Sequence, residues 1–206
     1  MTELMEIITY PAPVLKAPAE SVKKVTNELQ TLIDRMAATM YAAPGIGLAA
    51  NQVGVAKRVI TYDLCPGTED QELSVLINPE IISGAGEFVY EEACLSVLDY
   101  SADVTRMQRI CVRGLDRNGT PVEIEAEDLL AVCLQHEIDH LNGILFIDHI
   151  SSLKRALYKK RLRKILKISL VKKLLKQLSQ FLLILTITKD KLQKTLEKLQ
   201  DLRLLE

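Results

Sequence analysis

The sequence has no tryptophan, only 4% aromatic residues and no long apolar run. Its longest candidate, "FLLILTI" at 181–187, falls far short of the roughly 20 residues a membrane-spanning helix needs, so no transmembrane span is expected. The opening stretch "MTELMEIITYPAP" carries early acids and meets a proline before any apolar run develops, unlike a secretory signal. Only four cysteines occur, Cys65, Cys94, Cys111 and Cys133, and none forms a CxxC pair. That density excludes a disulfide scaffold and, without an export pattern, implies reduced thiols in a cytoplasmic setting. By default each is a small buried apolar residue. One absence is local: residues 151–189 contain no acid.

What is present suits a globular chain. With 206 residues, 48% apolar and 26% charged, there is material for one domain, an appendage and a substantial core. The net charge of −1 conceals an asymmetry. Residues 1–150 carry 10 Lys/Arg against 23 Asp/Glu, a net of −13, whereas 151–189 carry 12 Lys/Arg, a net of +12. Residues 190–206 have 4 of each sign and are neutral. An acidic body with a basic extension points to polyanionic partners.

In "TNELQTLIDRMAATMYAAPG", Leu29, Leu32, Ile33, Met36 and Met40 predict an amphipathic helix capped by Thr26 or Asn27 and stopped at Pro44-Gly45. "GIGLAANQVG" (45–54) reads as turn-like, "KRVITYDL" as a strand, and "LSVLINPEII" as a strand interrupted at Asn78-Pro79. "GEFVYEEACLSV" and "RICVRGLDRNGTPVEIEA" add further strands, the latter a pair turning at Asp116, Asn118 and Gly119. A second helix is expected over 127–141, then the short apolar run "GILFIDHI", then helix from Ser151 nearly to the end. The order, without βαβ alternation, is α+β: strands around a central helix with a helical C-terminal extension.

The second helix carries "LQHEIDHLNG". Residues four apart share a helix face, so His136 and His140 can bring two imidazoles to one ion. Glu137, next to the first, can reach a water whose pKa the metal lowers and accept its proton. Two unrelated surface histidines are the bland alternative. The apolar surroundings "LLAVCLQHEIDHLNGILF" argue against it, because ionisable groups on a buried helix need a compensating partner. A third ligand has three candidates. His149 follows the helix, and Cys133 on the same helix would make a crowded, one-sided shell. Cys94, ending a predicted strand, is the better one, and leaves a fourth position open.

Three blocks, "GIGLAANQ" (45–52), "EACLS" (92–96) and "QHEIDH" (135–140), resemble in content and order the signature motifs of peptide deformylases. The resemblance covers roughly residues 5–165 and includes "YPAPVLKAPAE" and "LINPEI". It implies a deformylase-like fold and hydrolytic removal of the formyl group from N-terminal formyl-methionine of nascent chains, releasing formate. It implies a divalent metal, Fe²⁺ first and Zn²⁺, Ni²⁺ or Co²⁺ as alternatives, held by Cys94, His136 and His140. Gln52 and the backbone N–H of Leu95 match the oxyanion donors, and Glu137 the proton shuttle. Read alone, Gln52 is a loop-capping amide. The peptide is expected to lie along Ile46-Gly47 and Ala93, with the methionine side chain near Tyr90, Leu129, Val132 and Cys133. Those apolar residues equally suit a core. Three positions depart from the pattern: Ala93 for the usual Gly, Leu98 where Pro is common, and Ser101 where Arg is often found. Ala93 puts substrate fit in question.

The catalytic domain is expected over 1–167, including the basic helix "SSLKRALYKKRLRKILK" capped by Ser151 or Ser152, with 168–206 an extension of unassigned role. The resemblance implies ribosome docking through basic segment 151–176, where RNA phosphates supply the attraction. Leu178, Leu185, Leu192 and Leu199 recur every seven residues, but companion positions include Thr188 and Thr195, a weak coiled-coil pattern. Thr186-Ile187-Thr188 is expected to break the helix. Dimerisation and a membrane-surface role stay open. Rival readings are an HExxH metallopeptidase, which would draw its third ligand downstream, and an impaired homologue that only binds the ribosome.

Overall fold

Thr26 starts the first helix, α1 (Asn27–Ala42), by accepting the Leu29 N–H at 3.4 Å. Leu29, Ile33, Met36 and Met40 form its buried stripe, the face their spacing predicts. In this computed structural model residues 3–203 are described, with only the helical backbone for 169 and 181–203. The stretch expected as a turn instead forms β1 (Gly47–Ala49), followed by a 3-10 turn, Ala50–Val53, that closes on Gly54 at φ 81°. Residues 48–50 are apolar and fully buried, so pairing β1 is the way to satisfy their backbone polar groups.

β2 (Val59–Tyr62), β3 (Ser74–Ala85), β6 (Arg109–Leu115) and β7 (Pro121–Glu127) join β1 in one antiparallel sheet of order β1-β2-β3-β6-β7. β4 (Phe88–Cys94) and β5 (Val97–Arg106) form a separate hairpin. β5 is largely absent from the sequence expectation, because Asp99, Ser101 and Asp103 are poor strand formers. β3 is continuous where an interruption was expected. A register shift between Ile77 and Glu80 absorbs Asn78-Pro79, and Asn78, at φ 53°, bonds both the N–H and C=O of Val22 at 2.8 Å. The β6–β7 turn lies where expected, with Asp116 Oδ1 accepting the N–H groups of Asn118 and Thr120 at 2.8 Å.

α2 (Asp128–Leu141) packs Ala131, Leu134, Ile138 and Leu141 against Ile60, Leu76, Ile110 and Val112. α1 packs against Leu48, Val59 and Ile77. Those strand residues are sequence neighbours of the first set, so the two helices cover opposite faces of the sheet. This is why β2, "VITY", is buried at every position. The fold is α+β, antiparallel strands around a central helix, as expected.

The compact unit carrying these elements ends at Arg155, and a second begins at Ala156. A 3-10 turn, Phe146–Asp148, occupies the short apolar run, and α3 (Ser152–Arg203) follows with Ser151 Oγ accepting the Lys154 N–H at 3.3 Å. The expected break at Thr186-Ile187-Thr188 does not occur, since α3 runs through it. β-branched residues cost a helix only a few tenths of a kcal/mol each, about 0.5 against Ala, and strong helix formers flank these three. Among the described residues no helix is long and apolar enough to cross a membrane.

Candidate metal centre

The four-residue spacing on α2 brings the Nε2 atoms of His136 and His140 to 3.2 Å. Cys94, ending β4, places Sγ 3.2 Å from His140 Nε2. The three ligand atoms all lie within 4.8 Å of one another, the one such grouping among the described residues. The other candidates lie elsewhere. Cys133 Sγ donates to the Ile46 carbonyl at 3.6 Å, and His149 Nε2 lies 2.7 Å from Asp139 Oδ2.

Behind the histidines sits a buried ionic network that the sequence reading missed. Glu92 Oε2 lies 2.7 Å from His136 Nδ1. Arg106 donates to both oxygens of Glu92, at 2.6 and 3.1 Å, and to Asp139 at 2.5 Å. The Arg106 and Glu92 side chains are 4% and 2% exposed. A signal did exist: Ala102, Val104 and Arg106 alternate along β5, which puts the arginine on the inward face. The carboxylate accepts from His136 Nδ1, so Nε2 is the ring nitrogen turned to the cluster. Phe146 stacks on the His136 ring at 6.2 Å and fixes its plane.

The donor set fits a metal. Two imidazole nitrogens and a sulfur converge without a carboxylate, which suits Fe, Zn, Ni or Co and not Mg or Ca. The two rings sit in opposite electrostatic settings. Burial lowers the His136 pKa, yet hydrogen bonds that the ring donates to Cys94 and Glu92 outweigh it and hold the ring well above the usual histidine range. Burial and the charge of His136 push His140 well below that range. Asn51 Nδ2 donates to the His140 carbonyl and ties the helix end to the turn after β1.

Glu137 is 4% exposed, and its Oε2 has no hydrogen-bond partner. Burial, opposed by the positive field of His136, pushes its pKa up to about 7. Gly47 makes its space: a Cβ there would lie 2.8 Å from the Glu137 Cδ and closer still to Oε1. Gln52 is buried beneath the same site. Its Oε1 accepts the Ala49 N–H at 2.8 Å, while Nε2 donates to Ser96 Oγ at 3.1 Å and faces Cys94 Sγ at 3.6 Å. It is therefore a loop-capping amide whose NH₂ also faces the cluster.

A cleft of about 370 Å³ opens over these groups. Ile46, Gly47, Tyr90, Ala93, Leu129, Val132 and Cys133 all line it, together with Leu95, His136 and Glu137. Ala93 is exposed on β4 opposite Ser101. Ser101 Oγ donates to Glu91 Oε1 at 2.8 Å, and Leu98 is 55% exposed.

The polypeptide deformylase family profile matches residues 4–156. A peptide deformylase of Thermodesulfovibrio yellowstonii is 54% identical over 160 residues, 78% of this chain and 97% of the relative. One from Syntrophobacter fumaroxidans is 49% identical over 164 residues, 80% and 96% of the respective chains. Among solved structures, a peptide deformylase from Legionella pneumophila superposes with a TM-score of 0.75 at 44% identity, covering 81% of this chain and 98% of that one. The Ehrlichia chaffeensis enzyme in complex with actinonin gives 0.74 at 39% identity, covering 79% and 97%.

Proposed function

The chain belongs to the polypeptide deformylase family, and from that premise we infer how its own residues hydrolyse the formyl group from N-terminal formyl-methionine of nascent polypeptides, releasing formate. The convergence of Cys94, His136 and His140 beneath a cleft floored by the unpaired Glu137 carboxylate carries this reading. Those three residues would hold one divalent metal, which we take to be Fe²⁺, with Zn²⁺, Ni²⁺ and Co²⁺ able to replace it. When bound, the metal supplies Lewis acidity and lowers the pKa of water.

Glu137 accepts the proton of the attacking water and returns it to the departing amine. A carboxyl lifted to about 7 suits both transfers near neutral pH. Gln52 and the Leu95 N–H donate to the formyl oxygen as it becomes an oxyanion. The Ala49 N–H on Oε1 fixes which end of the Gln52 amide faces the site, and Ser96 Oγ holds its angle. The substrate lies extended between Ile46-Gly47 and Ala93, with its methionine side chain among Tyr90, Leu129, Val132 and Cys133.

We assign catalysis to residues 1–167 with their basic helix, leaving 168–206 as an extension, and place the enzyme in the cytoplasm, where nascent chains emerge. Basic segment 151–176 docks on ribosomal RNA; its run of lysines and arginines without an acid supports this. Ribosome pelleting that weakens as salt rises is the expected result, and salt-insensitive or absent pelleting refutes it. For the chemistry, protein loaded with Fe²⁺ or Ni²⁺ should release formate from formyl-Met-Ala-Ser, and Glu137→Ala should abolish release with metal content unchanged. Metal-loaded wild type that yields no formate above blank refutes the assignment.

A further inference from the structure

The apolar face of α3 that starts inside the basic segment and runs past it takes no part in the reaction just described. Ile168, Val171, Leu175 and Leu178 are 48%, 54%, 60% and 56% exposed, large values for apolar side chains on one helix. They are spaced three, four and three residues apart, which puts them on a single stripe. The sequence continues this alternation past the described side chains at Leu182, Leu185, Lys189, Leu192, Leu196 and Leu199. The companions of the seven-residue leucines are thus 175, 182, 189 and 196, and the threonines at 188 and 195 flank the seam. Nine of ten core positions are apolar over 32 residues, about 47 Å of helix. Upstream, the same positions hold Arg161 and Lys164, which end the seam within the basic segment.

We propose that α3 pairs through residues 168–199 with α3 of a second copy of this chain, forming a two-stranded coiled coil that makes the enzyme a homodimer. The period selects a helical partner. A stripe repeating every 3.5 residues drifts about 20° per heptad on a straight helix, so it leaves a flat surface such as a bilayer but follows a supercoiled helix. A second copy is also compatible in charge. The flanking positions from Leu174 to Leu202, which are Leu174, Ser179, Phe181, Thr186, Thr188, Gln193, Thr195, Gln200 and Leu202, include no charge, so like charges of identical helices meet only at Lys167 and Lys172 at the basic end and at Lys189 in the seam. Lys189, the single polar core residue, favours two strands, where its ammonium can reach water along its own stem. Eighteen apolar core side chains in a pair withdraw on the order of 1,500 Å², the size of a stable interface.

Sedimentation equilibrium of the full chain at micromolar concentration tests this. The expected mass is twice the 23.1 kDa of one chain, insensitive to added salt because the seam is apolar. Leu178→Glu with Leu185→Glu should return the mass to one chain and weaken association at least a hundredfold, with formate release per chain unchanged. Retained turnover shows that the catalytic unit is folded. Lys173→Glu with Gln180→Glu changes charge off the seam and should leave the dimer intact. A wild-type monomer, a larger assembly, dissociation by salt, or dimers surviving the seam variant would each overturn the proposal. So would a wild-type monomer that binds anionic vesicles through this face.

Discussion

Replacing Arg106 by Met removes the cation of a buried network while nearly preserving volume, which separates charge from packing. The arginine bonds both oxygens of Glu92 and one of Asp139, and its side chain is 4% exposed. Leaving the two carboxylates without it should cost about 3–5 kcal/mol, the usual penalty for half a buried ion pair. The pKa of Glu92 gives an independent estimate. Burial raises it, but His136 and Arg106 outweigh burial and hold it at about 2 against an ordinary 4.5. That difference corresponds to about 3 kcal/mol at neutral pH, shared by the two partners, so the lower end of the first range is favoured. The damage should spread to the metal. Without Arg106 to hold both its oxygens, Glu92 no longer presents a fixed acceptor to His136 Nδ1, and metal affinity should fall about 10–100-fold. Urea unfolding of the metal-free protein measures the first effect, and competition with a chelator the second. Adding Glu92→Gln should recover part of the stability and none of the affinity. A loss below about 1 kcal/mol with unchanged affinity would refute the reasoning.

Gly47→Ala should lower kcat about 100-fold by displacing Glu137, with a stability loss of about 1–3 kcal/mol seen in urea. Gln52→Ala should lower kcat about 100–1,000-fold with a smaller change in KM; unchanged kcat would remove Gln52 from the oxyanion site. Acid should unfold the protein in a window set by Glu92. Its folded pKa is depressed, so its stabilisation is complete above about 4.5 and is lost as pH falls toward 2, a loss that Glu92→Gln should remove from the stability-against-pH curve. Chelation should lower Tm, since metal at a thousandfold over Kd contributes about 4 kcal/mol, and His140→Ala should abolish the metal-dependent part of Tm.

The chemistry of α2 was legible in the sequence because it is local. A four-residue spacing dictates a shared face, and apolar flanks dictate that the face is buried. The same holds for α1, for the β6–β7 turn and for the seven-residue period of α3, each written in the chain's own periodicity or turn chemistry. Ile46, Gly47, Tyr90, Ala93, Leu129, Val132 and Cys133 were named from a resemblance, and folding gathers them around one cleft. Residues far apart in sequence meet only through packing. Cys94, at the end of β4, reaches His140 across a long stretch of sequence, whereas Cys133, about two turns before His140 on its own helix, faces Ile46 instead. Glu92, Arg106 and Asp139 come from two strands and a helix, and no period in any of them reveals the others. Sequence by itself determined which residue types could bind and move a proton, because local geometry fixes helix faces. Tertiary structure alone decided which carboxylate orients His136 and which is left unpaired, because burial and strand register choose among charges that a linear chain presents alike.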